Sequence, residues 1–351
     1  NQQYSAQDSI IRPEKFGVDI VIHPEKAACE EITRLVKHPY AVQVMDFESG
    51  RLTMLGLKID SDCEKIYDIS LAEIVKSNNH FRFGVIAILR GQETIVPTAE
   101  FNFKDGDTAY FIIKTEDIPN LMELLCKELT ETHRVMILGG GKIGRTLAKE
   151  LPSDSINVRL VDYNRLKAGQ ISHNIDESMI IYGDGTDIEF LKSENIRDVD
   201  SFIAVTENEK TNLVAGLLAK HLGAKQSIIH LSTTEYIPSI QEVGVGAVLS
   251  KNLSTVNAIL RELHTDLTEI PVMTFDEIDV DVIEFQPEIG SPITQRPIRE
   301  INFPQDAIIG MINHHGKIRI AHGTSVLSED DIALVFAKPK AIGKLKKLFS
   351  A

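Results

Sequence analysis

The amino-acid sequence predicts an α/β protein in which one domain built on a parallel sheet is joined to two small α+β domains. Three observations support this prediction. Short β-branched apolar runs alternate with helical periods between residues 133 and 264, which is typical of βαβ units. A glycine-rich turn joins the first of those runs to the first helical segment. Finally, residues 1 to about 125 resemble residues 228 to 351.

The apolar runs of the predicted parallel sheet are separated by short segments with helical periodicity. In chain order the predicted strands are Arg134 to Leu138, Asn157 to Val161, Met179 to Tyr182, Phe202 to Val205, Ser227 to Leu231 and Ala247 to Leu249. Parallel strands joined through helices bring their carboxyl ends to one edge of the sheet. In open α/β folds ligands bind at that edge.

An internal repeat organises the rest of the chain. Residues 17–22, with the helical pattern after them, match residues 244–249 at an offset of 227. The turn at residues 104–107 matches residues 328–331 at an offset near 224. The second copy follows an α/β segment that has no counterpart before the first copy. We therefore expect a chain that starts within a first repeat and lacks roughly 100 residues of a first α/β domain, with natural degeneration of that domain as the alternative.

Composition and charge exclude several classes of protein. Hydrophobic residues make up 43% and charged residues 25% of the chain, as in ordinary globular proteins. The formal net charge of −14 repels phosphate backbones, and no basic stripe is interleaved with aromatic residues, so we expect no nucleic-acid partner. No apolar run reaches the roughly 18 to 20 residues that span a bilayer. Any membrane role is therefore expected to be peripheral.

The cysteines indicate neither a disulfide framework nor a zinc site. Cys29, Cys63 and Cys126 are odd in number, far apart and outside any CxxC or Cys/His spacing. We therefore expect a protein of the reducing cytoplasm, without a metal site.

The glycine-rich turn has the G-x-G-x-x-G spacing that binds a dinucleotide in Rossmann folds. Gly139 is expected to make the tight turn, Gly141 to allow close approach of a pyrophosphate, and Gly144 to let the helix pack closely on the sheet. The free N–H groups at the start of the helix would then face the phosphates, where the helix dipole favours an anion.

Polar residues after three other strands point to the same edge. Asp162 ends the second strand, where a carboxylate accepts hydrogen bonds from a ribose diol and disfavours a 2′-phosphate, so NAD(H) or ATP is expected rather than NADP(H). Asp184 is placed to reach the adenosine, and Thr206 with Glu207 to close over the phosphates. The alternative role of Asp187 is a charge at a helix N-terminus, and that of Thr206 and Asn208 is helix capping before Leu213.

These motifs occur together in an order that is more specific than any one of them. They are GGGKIG at 139–144, Asp162 after the second strand, YGDGTD at 182–187, AVTENEKTN at 204–212, and the repeated unit with its KDGD and SEDD turns. In this the chain resembles the TrkA family, the peripheral components of Trk potassium-uptake systems. That family is built of RCK (regulator of conductance of potassium) domains, also called KTN domains.

The resemblance implies tandem units, each a Rossmann-like domain followed by a small C-terminal domain. The implied parts are the tail of a truncated first Rossmann-like domain at 1–38, the first RCK C-terminal domain at 39–125, the second nucleotide-binding domain at 130–250, and a linking helix with the second RCK C-terminal domain at 251–351. The residues implied to bind nucleotide are Gly139, Gly140, Gly141, Lys142, Ile143 and Gly144 at the phosphates, Asp162 at the ribose, and Thr206 and Glu207 along the nucleotide.

The resemblance also implies a regulatory role rather than an enzymatic one. NAD(H) is the expected ligand, with ATP or ADP as alternatives, and the expected partner is an integral-membrane potassium transporter. The chain would form a homo-oligomer, a dimer or a ring of paired domains, on the inner face of the plasma membrane. One departure is Leu231-Ser232, where the family's first half often has an arginine. A cation for the phosphates would then have to come from Lys142 or Arg165.

Two other classes of function are compatible with this sequence. An NAD-dependent oxidoreductase is the main alternative, because the same fold carries many dehydrogenases, but it needs an acid/base group at the nicotinamide. His314 and His315 are predicted to lie in a hairpin turn and His230 at the end of a strand. A dimerisation scaffold without a ligand is the third class, and the complete glycine motif disfavours it.

Overall fold

The computed structural model describes residues 20–78, 80–153, 155–232, 240, 246–263, 271–275 and 277–351. Within these ranges the α-helices are α1 Pro24–Lys37, α2 Leu71–Ser77, α3 Ile118–Leu124, α4 Lys142–Glu150, α5 Arg165–Ser172, α6 Ile188–Ser193, α7 Glu209–His221, α8 Lys251–Leu263 and α9 Ile342–Phe349. The strands are β1 Gln43–Phe47, β2 Leu52–Lys58, β3 Phe83–Arg90, β4 Glu93–Ile95, β5 Thr108–Lys114, β6 Arg134–Leu138, β7 Asn157–Asp162, β8 Met179–Tyr182, β9 Ser201–Ala204, β10 Gln226–His230, β11 Ala247–Leu249, β12 Pro271–Met273, β13 Asp281–Phe285, β14 Ala307–His314, β15 Lys317–Ile320 and β16 Asp331–Ala337. Among the described helices, none has both the length and the apolar character that a bilayer crossing requires.

The six-stranded sheet is parallel throughout and has the strand order β11-β10-β9-β6-β7-β8. All six predicted strands are present, with bounds that differ by at most one residue. The chain runs from β6 outward to β8, then crosses back to β9 and continues to β11. The order therefore reverses between β6 and β9, and the carboxyl edge at this switch point is where open α/β sheets bind ligands.

Both faces of the inner strands of the parallel sheet are covered, so that these strands are apolar on both sides. On β6, Val135 and Ile137 belong to a core with α1 and α4, whereas Met136 and Leu138 belong to a core with α7. Asn208 caps α7 by accepting a hydrogen bond from the N–H of Thr211 at 3.1 Å. Because both faces are buried, short apolar runs form the inner strands, and polar residues are found at the strand ends.

The two antiparallel sheets have the same topology, as the internal repeat predicted. Their strand orders are β1-β2-β5-β3-β4 and β12-β13-β16-β14-β15. The register shifts at corresponding places, between Val85 and Ala87 in β3 and between Ile309 and Met311 in β14. The α+β fold expected for both small domains is therefore confirmed by matching sheets and matching irregularities.

The two small sheets pack against each other through one shared apolar core. Met54 and Ile112 of the first sheet contribute to this core together with Met311 and Phe336 of the second. Polar contacts reinforce the packing, because the hydroxyl of Thr94 accepts a hydrogen bond from the N–H of Asp279 at 3.0 Å. The internal repeat thus forms a pair of sheets within one chain.

The KDGD and SEDD turns have corresponding structural roles. Asp107 accepts a hydrogen bond from the N–H of Lys104 at 2.9 Å and is held by Arg90, whose Nε lies 2.8 Å from Oδ1. In the second copy Asp331 accepts from the N–H of Ser328 at 2.8 Å, and Nδ1 of His314 lies 2.7 Å from Oδ1. Both carboxylates are almost fully buried. A buried acid with a paired cationic or imidazole partner therefore closes each turn.

The helix α1 precedes the first small domain, yet it packs on the parallel-sheet domain. Its residues Ala28 and Ile32 are fully buried in a core shared with Ile143 and Leu147 of α4. The first half of the expected tail of a first Rossmann-like domain at 1–38 lies outside the described residues, because the described part begins at residue 20. Its described helix joins the two halves of the chain.

A disulfide between Cys63 and Cys126 corrects the expectation drawn from the cysteine count. The two Cα atoms are 5.6 Å apart although 63 positions separate the residues in the chain. Cys63 lies in the segment between β2 and α2, and Cys126 follows α3. Spacing could not reveal this pair, because the fold of the first small domain is what brings the two segments together. Cys29 is free and buried, and burial raises the pKa of its thiol to about 12.

Removing this disulfide is expected to destabilise the first small domain by about 2–4 kcal/mol, because a long loop is no longer closed in the unfolded chain. The measurement is urea unfolding of the unaltered chain and of the Cys63→Ala/Cys126→Ala variant, each with and without dithiothreitol. The reductant should lower the midpoint of the unaltered chain and leave that of the double variant in place. Three titratable thiols in the unfolded, non-reduced chain would contradict the pairing.

Candidate functional site

The turn after β6 is built around a glycine that no larger residue can replace without strain. Gly139 has a φ of +112°, and its N–H donates to the carbonyl of Val161 at 2.8 Å. A Cβ at this position would lie 2.9 Å from the backbone nitrogen of Thr206. Positive φ and a close backbone neighbour both require glycine. The turn is thereby clamped between the ends of β7 and β9.

The other two glycines of the motif differ in what surrounds them. A Cβ on Gly144 would lie 1.9 Å from the carbonyl oxygen of Gly139, so glycine is needed for α4 to approach the turn. A Cβ on Gly141 would meet nothing within 4 Å. Gly141 is the N-cap of α4 and contributes no side-chain cap to the helix. The space beside it is open where the helix presents its first free N–H groups.

Asp162 is the buried acid of the site, with 2% of its side chain exposed. Its Oδ2 accepts hydrogen bonds from the N–H of Gly140 at 2.8 Å and from the ammonium of Lys167 at 3.0 Å. Its Oδ1 accepts from the N–H of Asn164 at 2.9 Å.

Burial alone would raise the pKa of Asp162. The N–H of Asn164, the Lys167 ammonium and the Gly140 N–H outweigh this effect and hold the pKa below its ordinary value. The carboxylate is therefore ionised at neutral pH and fixed in orientation beside the glycine turn.

A cleft of about 1270 Å³ opens at the carboxyl edge of the parallel sheet. The predicted site residues that line it are Gly139, Gly141, Asp162, Asp184, Thr206 and Glu207. The described lining does not include Gly140, Lys142, Ile143 or Gly144. These four have supporting positions: Gly140 donates to Asp162, and Ile143 is 9% exposed in the core under α4. Six of the predicted residues therefore line the cleft, and the other four support the turn and α4 beside it.

The cations that line the cleft differ from the two that the sequence suggested. Lys167, in the first turn of α5, and Lys210, in the first turn of α7, both belong to the lining. Lys142 instead lies with its Nζ 3.7 Å from Oε1 of Glu25 in α1, and neither it nor Arg165 is among the described lining residues. The pairing with Glu25 therefore directs the Lys142 side chain toward α1.

The loops after β8 and β9 contain both caps and site residues. Asp187 caps α6 by accepting from the N–H of Glu189 at 2.9 Å, and Asn208 caps α7, so these two alternative roles are confirmed. Asp184 accepts from the N–H of Thr186 at 2.9 Å and remains exposed at the cleft. Thr206 does not cap α7.

Asn212 holds the loop after β9 in place. It is fully buried, and its Oδ1 accepts from the hydroxyl of Thr206 at 2.6 Å and from the Thr206 N–H at 2.9 Å. Its Nδ2 donates to the carbonyls of Thr206 and His230, each at 3.0 Å. One amide thus ties the ends of β9 and β10 together and positions Thr206 at the cleft.

Sequence reasoning missed several residues of this site. They are Tyr163, Lys167, Lys210 and Asn212. Tyr163 lines the cleft and is 74% exposed, which makes an aromatic face available beside Asp162. Lys167 could have been found from the sequence. It follows Asp162, the acid at the end of the second strand, by five residues, where the first turn of the next helix is expected. The sequence contained no comparable signal for the orientation of Asn212.

The start of α4 also touches the other half of the chain. The thiol of Cys29 in α1 lies 3.7 Å from the carbonyl of Ile143, and Glu25 pairs with Lys142. The backbone of α1 holds the pKa of Glu25 below its ordinary value against burial, and Lys142 adds to the lowering. A displacement of α4 at the cleft must therefore be accommodated by α1.

Comparisons with known proteins agree with this architecture. The TrkA-N domain model matches residues 135–251, and the TrkA-C domain model matches residues 282–350. The crystal structure of the GsuK RCK domain superposes with a TM-score of 0.52 at 16% identity, covering 95% of this chain and 71% of that chain. At this identity the likeness concerns the fold alone.

Similar curated proteins extend the agreement over nearly the whole chain. A Trk system potassium uptake protein TrkA homolog of Archaeoglobus fulgidus is 30% identical over 344 residues, which are 97% of this chain and 76% of the relative. A second homolog, from Methanosarcina mazei, is 29% identical over 340 residues, covering 95% of this chain and 74% of the relative. By these matches, and by the parallel-sheet domain with its glycine turn, the chain belongs to the family of TrkA proteins of Trk potassium-uptake systems.

Proposed function

We propose that this chain is a regulatory nucleotide-binding subunit of a potassium-uptake system. NAD(H) is its proposed ligand, with ATP or ADP as alternatives. One observation carries the proposal: a buried, ionised Asp162 is fixed beside a glycine turn whose Gly141 leaves open space at a helix N-terminus. That arrangement fits a ribose diol on one side and phosphates on the other. The names of the relatives supply the connection to potassium uptake.

The geometry divides the proposed contacts between two groups of residues. In this proposal Gly139, Gly141 and the first turn of α4 receive the phosphates, with Lys210 as the nearby cation. Asp162 binds the adenosine ribose, and Tyr163 and Asp184 line the adenine side.

Further residues complete the proposed site. Thr206 and Glu207 close over the phosphates, whereas Gly140, Lys142, Ile143 and Gly144 keep the turn and α4 in shape. The domain division at 1–38, 39–125, 130–250 and 251–351 is part of the same proposal.

Regulation would use the contact between α4 and α1. A nucleotide shifts an equilibrium only by its differential affinity for two conformations. Since α1 connects the cleft with the first small domain, a ligand that moves the start of α4 would change how the halves of the chain are arranged. We propose that a homo-oligomer, a dimer or a ring of paired domains, passes this change to an integral-membrane potassium transporter at the inner face of the plasma membrane.

The experiment that tests this function is parallel isothermal titration of the chain with NADH, NAD⁺, ATP and ADP, combined with small-angle X-ray scattering of each mixture. We expect saturable binding of at least one of these nucleotides and a nucleotide-dependent change in the scattering curve. Failure of all four to bind would overturn the proposal. Binding without a change in the scattering curve would support nucleotide binding and contradict the regulatory role.

The same preparations separate a regulator from an oxidoreductase. We expect NADH to remain unoxidised when it is incubated with the chain and panels of carbonyl and quinone acceptors, followed at 340 nm. Turnover that depends on an acceptor would favour the enzyme and contradict the regulatory proposal.

A further inference from the structure

Lys167 occupies a position that the ribose-binding role of Asp162 does not require. Its ammonium lies 3.0 Å from Oδ2 of Asp162, and 40% of its side chain is exposed, so it faces the cleft as well as the acid. The backbone at Lys167 is fixed, because its N–H donates to the side chain of Asn164 at 3.1 Å in the cap of α5. A cation is thus anchored beside the acid that is expected to bind the ribose.

The hydrogen bonds of Asp162 limit what it can still accept. An ionised carboxylate offers about four lone-pair positions. Donors already approach from Gly140 and Lys167 at Oδ2 and from Asn164 at Oδ1. The position left is on Oδ1, so one ribose hydroxyl can donate to the acid without displacing a partner. The neighbouring hydroxyl is then expected beside the Lys167 ammonium, which contacts the same carboxylate.

This geometry changes how the cleft treats a 2′-phosphate. A lone carboxylate at the end of the second strand repels that group, which is the basis for expecting NAD(H) rather than NADP(H). A ribose hydroxyl bound to Asp162 lies about 2.7 Å from the carboxylate. A phosphate on the neighbouring ribose hydroxyl, which does not donate to Asp162, therefore comes within reach of an ammonium that is itself 3.0 Å from the same carboxylate.

We infer that Lys167 is a specificity-determining residue that makes the cleft accept NADP(H) alongside NAD(H), by neutralising Asp162 and by pairing with the 2′-phosphate. The inference rests on the proposed nucleotide-binding function. It narrows the ligand class to adenine dinucleotides with either a hydroxyl or a phosphate at the 2′-position.

Lys210 provides a comparison within the same cleft. Both lysines belong to the described lining, but Lys210 lies on α7 after β9, whereas Lys167 lies on α5 after β7. The central strand β6 separates the two positions in the sheet. Lys210 therefore faces the part of the cleft expected to hold the pyrophosphate, which NADH and NADPH share. Its removal should weaken both dinucleotides alike.

The test is fluorescence titration of NADH and NADPH into the unaltered chain and into Lys167→Met, Lys167→Arg and Lys210→Met, with melting curves to verify folding. We expect Lys167→Met to weaken NADPH relative to NADH by roughly tenfold, the effect of losing one charge-assisted hydrogen bond. Lys167→Arg should keep the ratio of the two dissociation constants. Lys210→Met should lower both affinities and leave that ratio unchanged.

A second pair of probes removes the nicotinamide from the comparison. Adenosine 2′,5′-bisphosphate should lose affinity in Lys167→Met, whereas adenosine 5′-monophosphate should not. Failure of NADPH to bind an unaltered chain that binds NADH, ATP or ADP would overturn the inference while leaving nucleotide binding intact, and so would an unchanged NADPH/NADH ratio in Lys167→Met or an equal change in Lys210→Met. If the unaltered chain binds neither dinucleotide nor ATP or ADP, the proposed function fails and the inference fails with it.

Discussion

Replacing Gly144 with alanine is expected to weaken nucleotide binding strongly and to destabilise the parallel-sheet domain. The added Cβ would lie 1.9 Å from the carbonyl oxygen of Gly139, which is backbone and cannot swing aside. The start of α4 must then move away from the turn. We expect a loss of stability of about 1–3 kcal/mol from overpacking and a fall in affinity on the order of 100-fold, equivalent to roughly 2.7 kcal/mol. Isothermal titration and urea unfolding measure the two effects.

Two matched glycine variants separate binding from folding. Gly141→Ala places its Cβ in open space and should leave stability unchanged, yet it should weaken the nucleotide, because the methyl group occupies the approach to the phosphates. Gly343→Ala in α9 also meets nothing within 4 Å, and Gly343 is not among the described residues that line the cleft, so this variant should lower neither stability nor affinity. Normal affinity in Gly141→Ala would show that the phosphates do not pass this residue.

Replacing Asp162 with alanine should produce the second large effect. The N–H groups of Gly140 and Asn164 lose their acceptor, and Lys167 loses its ion-pair partner. Each unsatisfied buried group costs about 1–3 kcal/mol. Because the acid is also the proposed ribose ligand, we expect affinity for NADH to fall by on the order of 100-fold. Parallel titration and unfolding of the unaltered chain and the variant give both numbers.

The chain contains a closely matched control for Asp162 in the same sheet. Asp200 precedes β9 at the opposite, amino-terminal edge and is also buried. It accepts from the N–H groups of His133 and Arg134, both at 2.8 Å, and from Lys225, also at 2.8 Å. Asp200→Ala should therefore destabilise the domain about as much as Asp162→Ala and leave affinity unchanged. Equal losses of affinity in both variants would mean that Asp162 acts only through folding.

Local patterns were enough to predict the parallel sheet. Its strands are short apolar runs bounded by turns, so the sequence pattern located their ends to within one residue. The glycine motif was equally readable, because the backbone at Gly139 and the packing at Gly144 each admit only a residue without a Cβ. The repeat predicted two α+β units, and the matching topologies confirmed them.

Side-chain partnerships between distant segments were not readable in this way. The disulfide joins Cys63 to Cys126 across the first small domain, Lys142 turns to Glu25 rather than to the cleft, and Lys167 stands beside Asp162. The packing of one small sheet on the other through Met54, Met311 and their neighbours belongs to the same category.

The sequence alone therefore determined the fold class of this protein, the segments that form the strands of its parallel sheet, the glycine turn and the acid after the second strand. These depend on the period of apolar residues and on backbone conformations that single residue types permit. Tertiary structure alone decided which cations reach the cleft, which cysteines pair and how α1 links the two halves. Those outcomes depend on the faces that elements turn toward each other when they pack, and residues far apart in the chain meet only in that packing.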